Sequence, residues 1–433
     1  MKSRTKLLAL AVVLALIAAA CGGADESGAP AGADETDTTV AEGAGDGQAL
    51  TVWIMQPGSE DVETIINATA AAFEEANEGV TIDVQFVPWA NAHDQFVTAI
   101  GGGQVPDVAE MGTTWTPEFA ELGAFAPVEV PAEGEYVESL VTSGTVDGTS
   151  YGHPWYAGAR SLIYRTDVFE DLGLEPPETW DDLLAAGDAI AEAGEIDPIH
   201  VAGDYVHMQA PLVWQAGGDI ATEESGSWTA QFDTDAGREA FAFYNELWGR
   251  GWSPEGAVGW NSIDVRDAFA NGDSAMMIGG GWDLAAILST NPDLEGEVGT
   301  ALAPAGPGGN RDAFAGGSHL VTFAESENPE LGAQFIEFML QPEQVTAFTE
   351  AIGFLPGTVS GVEASSASGD ELYGTFAEQL VEHSRSYPPT AAWGQIEGDL
   401  VFTNATQEML QGSLTPEEAA AQVDQQMQEA FDG

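Results

Sequence analysis

Aromatic residues that stand beside turn signals are the groups in this chain best placed for chemistry, and the chemistry is recognition. Trp89, Trp115, Trp155, Tyr156, Trp282 and Trp393 each lie next to or near Gly, Pro or Thr at the apparent ends of strands or helices. An indole offers an apolar face with a polar edge, which matches the C–H face of a sugar ring and its flanking hydroxyls. Core packing is the competing role for each of them, because tryptophan is usually highly buried.

Groups that would make or break bonds are harder to find. A Gly-x-Ser-x-Gly nucleophile turn is missed at Gly316-Gly317-Ser318-His319-Leu320, where Leu320 stands in place of the last glycine. There is no phosphate loop and no His-Glu-x-x-His. The six histidines, at 93, 153, 200, 207, 319 and 383, are scattered without metal-ligand spacing, so no metal and no cofactor is expected. Gly272-Asp273-Ser274 precedes the apolar run Ala275–Ile278 and reads as a turn. Paired carboxylates for glycoside hydrolysis stay open as an alternative, since with 71 acidic residues any pairing is uninformative.

Elements able to position the aromatics follow an α/β pattern. Leu50–Met55 is an apolar strand, and Val62, Ile65, Ile66, Thr69 and Phe73 recur at helical spacing until Asn77 and Gly79. Val80, Ile82, Val84 and Phe86 alternate as a second strand. Phe96, Val97 and Ile100 mark a helix stopped by three glycines, and a strand around Val108 follows. Helix starts are expected at Thr179 with Asp182, at Asn328 with Pro329, and at Thr415 with Pro416 and Glu418. Ligands of α/β sheets bind outside the carboxyl ends of strands, where several of the aromatics fall. No internal repeat of fixed period is present.

The amino terminus reads as an export signal. Lys2, Arg4 and Lys6 precede the apolar run Leu7–Ala20, which is too short to span a bilayer as a mature helix. Ala18-Ala19-Ala20-Cys21-Gly22 resembles a lipobox, so residues 1–20 are expected to be cleaved and Cys21 to carry a lipid, anchoring the protein to the outer face of the cell membrane. Cys21 is the only cysteine, so the mature fold has no internal disulfide. Residues 21–48 are rich in Gly, Ala, Asp, Glu and Thr and read as an acidic flexible tether. After cleavage seven Arg and no Lys face 71 acidic residues, a formal charge of −64. That charge disfavours nucleic acid and anionic membrane surfaces as partners. It fits a halophilic source, while loss of Lys in favour of Arg also fits GC-rich coding.

Over nearly the whole mature chain the motifs, in order, resemble those of extracellular solute-binding proteins of carbohydrate ABC importers, the family that includes the maltose-binding proteins. They are Val105-Pro-Asp-Val108 leading to Thr113-Thr-Trp115, Tyr151–Tyr156 with Ser161–Arg165 and Pro177–Trp180, Trp214–Gly218, Phe269–Ile278 with Gly279–Trp282, Gly316–Ser318, Gly353–Pro356 and Thr415–Ala419. The resemblance implies a two-lobe periplasmic-binding-protein type II fold with discontinuous lobes joined by a hinge. Lobe 1 would take residues 49–157 and 313–358, lobe 2 residues 158–312 and 359–433. It further implies a non-enzymatic receptor that closes on a neutral sugar or oligosaccharide and delivers it to permease subunits served by a cytoplasmic ATPase, and a monomer. Trp282 and Trp393 match the family's stacking residues. Thr113, Thr114 and Trp115 occupy the hydroxyl-binding loop, where maltose-binding proteins usually carry an acid and a base, and His207 falls at an aromatic contact. Asp283, Gln56, Glu60, Gly317 and Ser318 are lesser polar candidates beside Trp89, Trp155 and Tyr156. Arg160 would either bind an anionic ligand group or neutralise acids at the hinge. A secreted salt-adapted glycoside hydrolase and a receptor for a polyol or osmolyte are the alternatives.

The charge carries a direct expectation: the unfolding midpoint rises with added salt as self-repulsion is screened. Thermal unfolding at about 0.1 M and about 2 M NaCl, where the Debye length falls from about 10 Å to under 3 Å, checks it; a midpoint that does not rise removes the halophilic explanation.

Overall fold

Along Gln48–Met55 the side chains divide by parity: Leu50, Val52 and Ile54 enter one hydrophobic core, Trp53 and Met55 another. A strand that is apolar on both sides must lie inside a sheet covered on both faces. The structure is a computed structural model that describes residues 48–56, 60–129, 132–367 and 371–433. The export segment, Cys21 and the tether through residue 47 lie outside the described residues.

Gln48–Met55 sits between Val80–Val87 and Val108–Gly112, parallel to both. Ala313–Thr322 pairs antiparallel with Val108–Gly112 and with His153–Ala159, and the register slips between Ser318 and His319. The short strands Leu355–Pro356 and Ser384–Arg385 complete a seven-stranded sheet. One face is covered by helices Glu60–Ala76 and Pro329–Met339, through Val62, Ile66, Phe73, Phe335 and Ile336. The other is covered by helix Trp89–Gly102, through Ala92 and Phe96. A separate four-stranded sheet places Ser161–Arg165 antiparallel to Val298–Ala301 and Ser274–Gly279, with Asp197–Ile199 at the far edge. The chain passes from the larger sheet to the smaller at Arg160, the one residue between His153–Ala159 and Ser161–Arg165. Each sheet with its helices forms a lobe.

Two of the expected caps form. Thr179 accepts from the Asp182 amide while the Asp182 carboxylate accepts from the Thr179 amide, and Thr415 and Glu418 repeat the exchange. Asn328 does not cap with its side chain, because its Nδ2 turns away to donate to the Ala49 carbonyl at 3.1 Å. Gly272 adopts φ 82° in the turn before Ser274–Gly279, and Ser274 is fully buried within that strand.

Close approach at the register slip leaves no room for a side chain at Gly317: a methyl group there would stand 2.1 Å from the Tyr156 carbonyl oxygen, which is main chain and cannot rotate away. Gly317→Ala is therefore expected to cost about 2 kcal/mol or more, in the range of overpacked interiors; urea unfolding measures it, and an unchanged midpoint would show that the two strands can part without loss.

Candidate functional site: a cleft between the two sheets

Residues from both sheets enclose a cleft of about 640 Å³, within the roughly 300–1,000 Å³ typical of small-molecule sites. The larger sheet contributes the Gly112–Trp115 loop at the end of Val108–Gly112, Tyr156, Phe314, Gly316 and Gly317, with Trp89 and Phe354 beside them. The smaller sheet's side contributes His207, Arg266, Trp282 and Asp283, together with Glu397 and the stretch Leu400–Thr403.

Trp282 begins the helix Gly281–Thr290 and is placed by small neighbours. A methyl at Gly280 would stand 2.3 Å from its ring and one at Gly158 2.4 Å. Its ring stacks on Phe354 at 4.4 Å and 13°, and the Arg160 guanidinium lies 5.1 Å from its centroid. Trp89 and Trp115 pack together at 5.5 Å, with Trp89 still 42% exposed. Thr113 is tied down through its amide, which donates to the Gly317 carbonyl at 3.2 Å. Asp283 borders the cleft but is buried, and its Oδ2 accepts from the Gly280 amide at 2.9 Å, so that oxygen caps the helix. His207 stacks on Phe314 at 4.7 Å and lies 2.9 Å from the Tyr387 hydroxyl. Burial, with Arg160 nearby, holds its pKa well below the ordinary imidazole value, so it is neutral.

Other expected residues lie elsewhere. Trp155 is buried on Phe348, with parallel rings 4.4 Å apart, while its neighbour Tyr156 reaches the cleft. Ser318 is fully buried, and its hydroxyl donates to Glu110 Oε1 at 2.8 Å. Trp393 stands one layer behind the wall: it is 1% exposed, stacks on Tyr387 at 4.4 Å, and Tyr387 stacks on Phe314 at 4.0 Å. Phe314 therefore presents the aromatic surface at this wall. Gln56 is exposed and outside the cleft lining, and the side chain of Glu60 lies outside the described residues. Arg160 is 8% exposed, borders the cleft, and makes no ion pair among the described residues, whereas five other arginines do. Its Nε has no hydrogen-bond partner. Its charge opposes the rise that burial gives the Asp283 pKa, so it acts on a buried acid at the crossing without a direct ion pair.

The family model for bacterial extracellular solute-binding proteins matches residues 57–346. The chain belongs to that family. Among curated relatives, the diacetylchitobiose binding protein DasA of Streptomyces coelicolor is 26% identical over 418 residues, covering 94% of this chain and 93% of the relative. A solute-binding protein from Thermotoga lettingae, solved with α-D-tagatose, superposes with a TM-score of 0.76 at 29% identity, covering 89% of this chain and 100% of that one. The sugar-binding protein MalE of Xanthomonas citri gives 0.76 at 28%, covering 89% and 98%. Like these solved relatives, the chain is a two-lobe α/β protein, and among the described residues no helix is long and apolar enough to cross a membrane.

For a solute-binding protein the informative surprises are polar. Glu397, Arg266 and Asp204 border the cleft without having been singled out in the sequence. Only Glu397 carried a usable signal, lying four residues after Trp393 on the helix Ala391–Gly398. Beneath the cleft, Glu110 is 1% exposed and accepts hydrogen bonds from the Tyr156 hydroxyl, the Ser318 hydroxyl and the Met55 amide. Burial raises its pKa to about 7 despite those donors. A carboxyl whose pKa is higher folded than unfolded contributes stability that is full below about 4.5 and is lost as pH rises through about 7. The wild-type unfolding midpoint should therefore fall between about pH 5.5 and 8. Glu110→Gln should show a smaller slope and a lower midpoint throughout, since its amide would meet the Met55 N–H. Equal slopes would place the titration on other groups.

Proposed function

We propose that this protein is an exported, lipid-anchored receptor that captures a neutral sugar or short oligosaccharide between its lobes and delivers it to the permease of an ABC importer. The observation that carries the reading is Trp282, an indole held on the cleft wall by Phe354 and the Arg160 guanidinium, with polar groups of Asp283 and Thr114 at the same cleft. The charged groups of the lining are of both signs, Arg160 and Arg266 with Asp204, Asp283 and Glu397, so the cleft lacks the excess of positive charge that an anionic solute would need. The relatives support a sugar, being named for diacetylchitobiose or solved with tagatose. On this reading the lobes comprise residues 49–157 with 313–358 and residues 158–312 with 359–433, Cys21 carries the anchor, and the receptor works as a monomer that bends at the hinge.

A thermal-shift screen of the mature protein in high salt against mono- and oligosaccharides, polyols and betaines tests the reading, since a ligand that binds only the native state raises the midpoint by mass action. The bound sugar should be recovered unchanged, and Trp282→Ala should weaken its binding at least about tenfold, or roughly 1.4 kcal/mol. Cleaved product would move the argument to the hydrolase, and a response to betaines alone would replace the sugar with an osmolyte.

A further inference from the structure

At one edge of the cleft the two lobes already touch through acidic side chains. The helix Thr116–Glu121, which follows the Gly112–Trp115 loop of the larger sheet, packs on the helix Ala391–Gly398 from the far side of the cleft. Glu121 Oε1 accepts from the Ala391 amide at 3.1 Å. A methyl at Gly394 would stand 2.1 Å from Glu118 Oε2, and Glu118 pairs with His93 Nε2 at 2.8 Å. Glu397 lies on the same helix, borders the cleft, accepts from Trp393 Nε1 at 3.0 Å, and takes a hydrogen bond from the side chain of Thr114 across the cleft. Among the described residues it has no ion-pair partner of its own, and Glu118 lies close enough to act on it.

We propose that Glu397 reads an oxygen atom of the ligand in its protonated form, donating its carboxyl O–H into the cleft, so that binding takes up one proton from solvent. This deepens the receptor reading and rests on it. The geometry supplies the reason: the Glu118 carboxylate overhangs Gly394, one helical turn from Glu397, and no cation among the described residues pairs with Glu397. Among the described residues His93 is the base that acts on Glu397 at this seam, and Glu118 already engages it. The remaining groups packed against the helix do not help. Tyr387 is a phenol, Asp399 follows on the same chain, and the helices Val401–Leu410 and Pro416–Asp432 bring only acids, namely Glu408, Glu417, Glu418, Asp424, Glu429 and Asp432. Removal from water is the main force lifting the Glu397 pKa, to about 7, with Glu118 adding to it and Trp393, Thr114 and His93 opposing it. Protonated Glu397 also leaves two positive and two negative groups on the cleft lining, Arg160 and Arg266 against Asp204 and Asp283, the balance suited to an uncharged solute.

The sign follows from linkage. If the closed, liganded form holds the proton more tightly than the unliganded one, affinity is greatest at low pH, declines as pH rises above the unliganded pKa of about 7, and levels off only past the higher bound-state pKa. Dissociation constants would be measured from about pH 5.5 to 8.5 at fixed high salt, with D-tagatose, maltose and diacetylchitobiose as probes. Wild type should weaken about tenfold between pH 6 and 8. Glu397→Gln, a neutral donor of similar shape, should hold one affinity across the range, and Glu397→Ala should be weak throughout. His93→Gln should keep the wild-type slope. Calorimetry in two buffers of different ionisation heat should show proton uptake on binding near pH 7.5. A flat wild-type profile, or loss of the slope in His93→Gln, overturns the proposal. So does a Glu397→Gln variant weak at every pH, which would mean that an ionised acceptor is needed. If no probe binds, the receptor reading fails for those sugars. A difference titration of unliganded wild type against Glu397→Gln then decides this proposal separately: one proton lost near pH 7 supports it, and one lost near the ordinary 4.5 overturns it.

Discussion

Backbone must meet backbone where the two sheets face each other, and glycine at that seam is what permits it. A methyl at Gly281 would stand 2.5 Å from the Gly353 carbonyl oxygen, and one at Gly353 would stand 2.8 Å from the Gly281 carbonyl oxygen. Gly353 also takes φ 70°, a left-handed conformation that side chains make costly. With these contacts in place Phe354 reaches Trp282 and Arg160 sits over the indole. A bulkier residue at either glycine would hold the sheets apart and pull the aromatic floor of the cleft out of register. The site is thus a product of close packing at the crossing point more than of any one polar contact.

Charge is handled in two different ways. Away from the cleft, Arg165, Arg238, Arg250 and Arg385 each sit against neighbouring acids, as Arg266 does at its rim, contacts worth little individually in a solvated setting. Around the cleft the acids are instead satisfied by hydroxyls and N–H groups: Glu110 by Tyr156, Ser318 and Met55, Asp283 by Gly280, Glu397 by Trp393 and Thr114. Burial raises the pKa of all three above the ordinary carboxylate value, and the hydrogen-bond donors only partly offset it. Arg160 follows the same logic from the cationic side, resting near the π faces of Trp282 and Tyr205.

Much of the scaffold was legible because its signals are local. Val80 to Phe86 alternates, Thr179 and Thr415 carry their capping partners three residues on, and the glycines after Ile100 end a helix where expected. The site was legible in part, and the losses share a cause. On strands whose two faces are both apolar, period two cannot say which face meets the cleft, so Trp155 and Ser318 looked as eligible as Tyr156. Stacking depth is also silent: Trp393 and Phe314 belong to one aromatic column through Tyr387, and nothing in their spacing tells which end is outermost. Glu397 was hidden by number, one acid among 71. Asn328 failed as a cap because a distant carbonyl, Ala49, competed for its side chain.

The stack of Phe354 on Trp282 joins the segment leading into Leu355–Pro356 of the larger sheet to the helix that follows Ser274–Gly279 of the smaller one. On the hinge-bending reading proposed above, parting the lobes uncovers a face of each ring, and such a pair contributes about 0.5–1.5 kcal/mol beyond its buried area. At about 1.4 kcal/mol per tenfold in population, this one contact would then shift the resting ratio of shut to open molecules by up to about an order of magnitude before any solute arrives. The empty protein would be a spring set part-way: a solute would supply only the remaining bias, and the aromatic pair would set how much of the binding free energy is left to show as affinity.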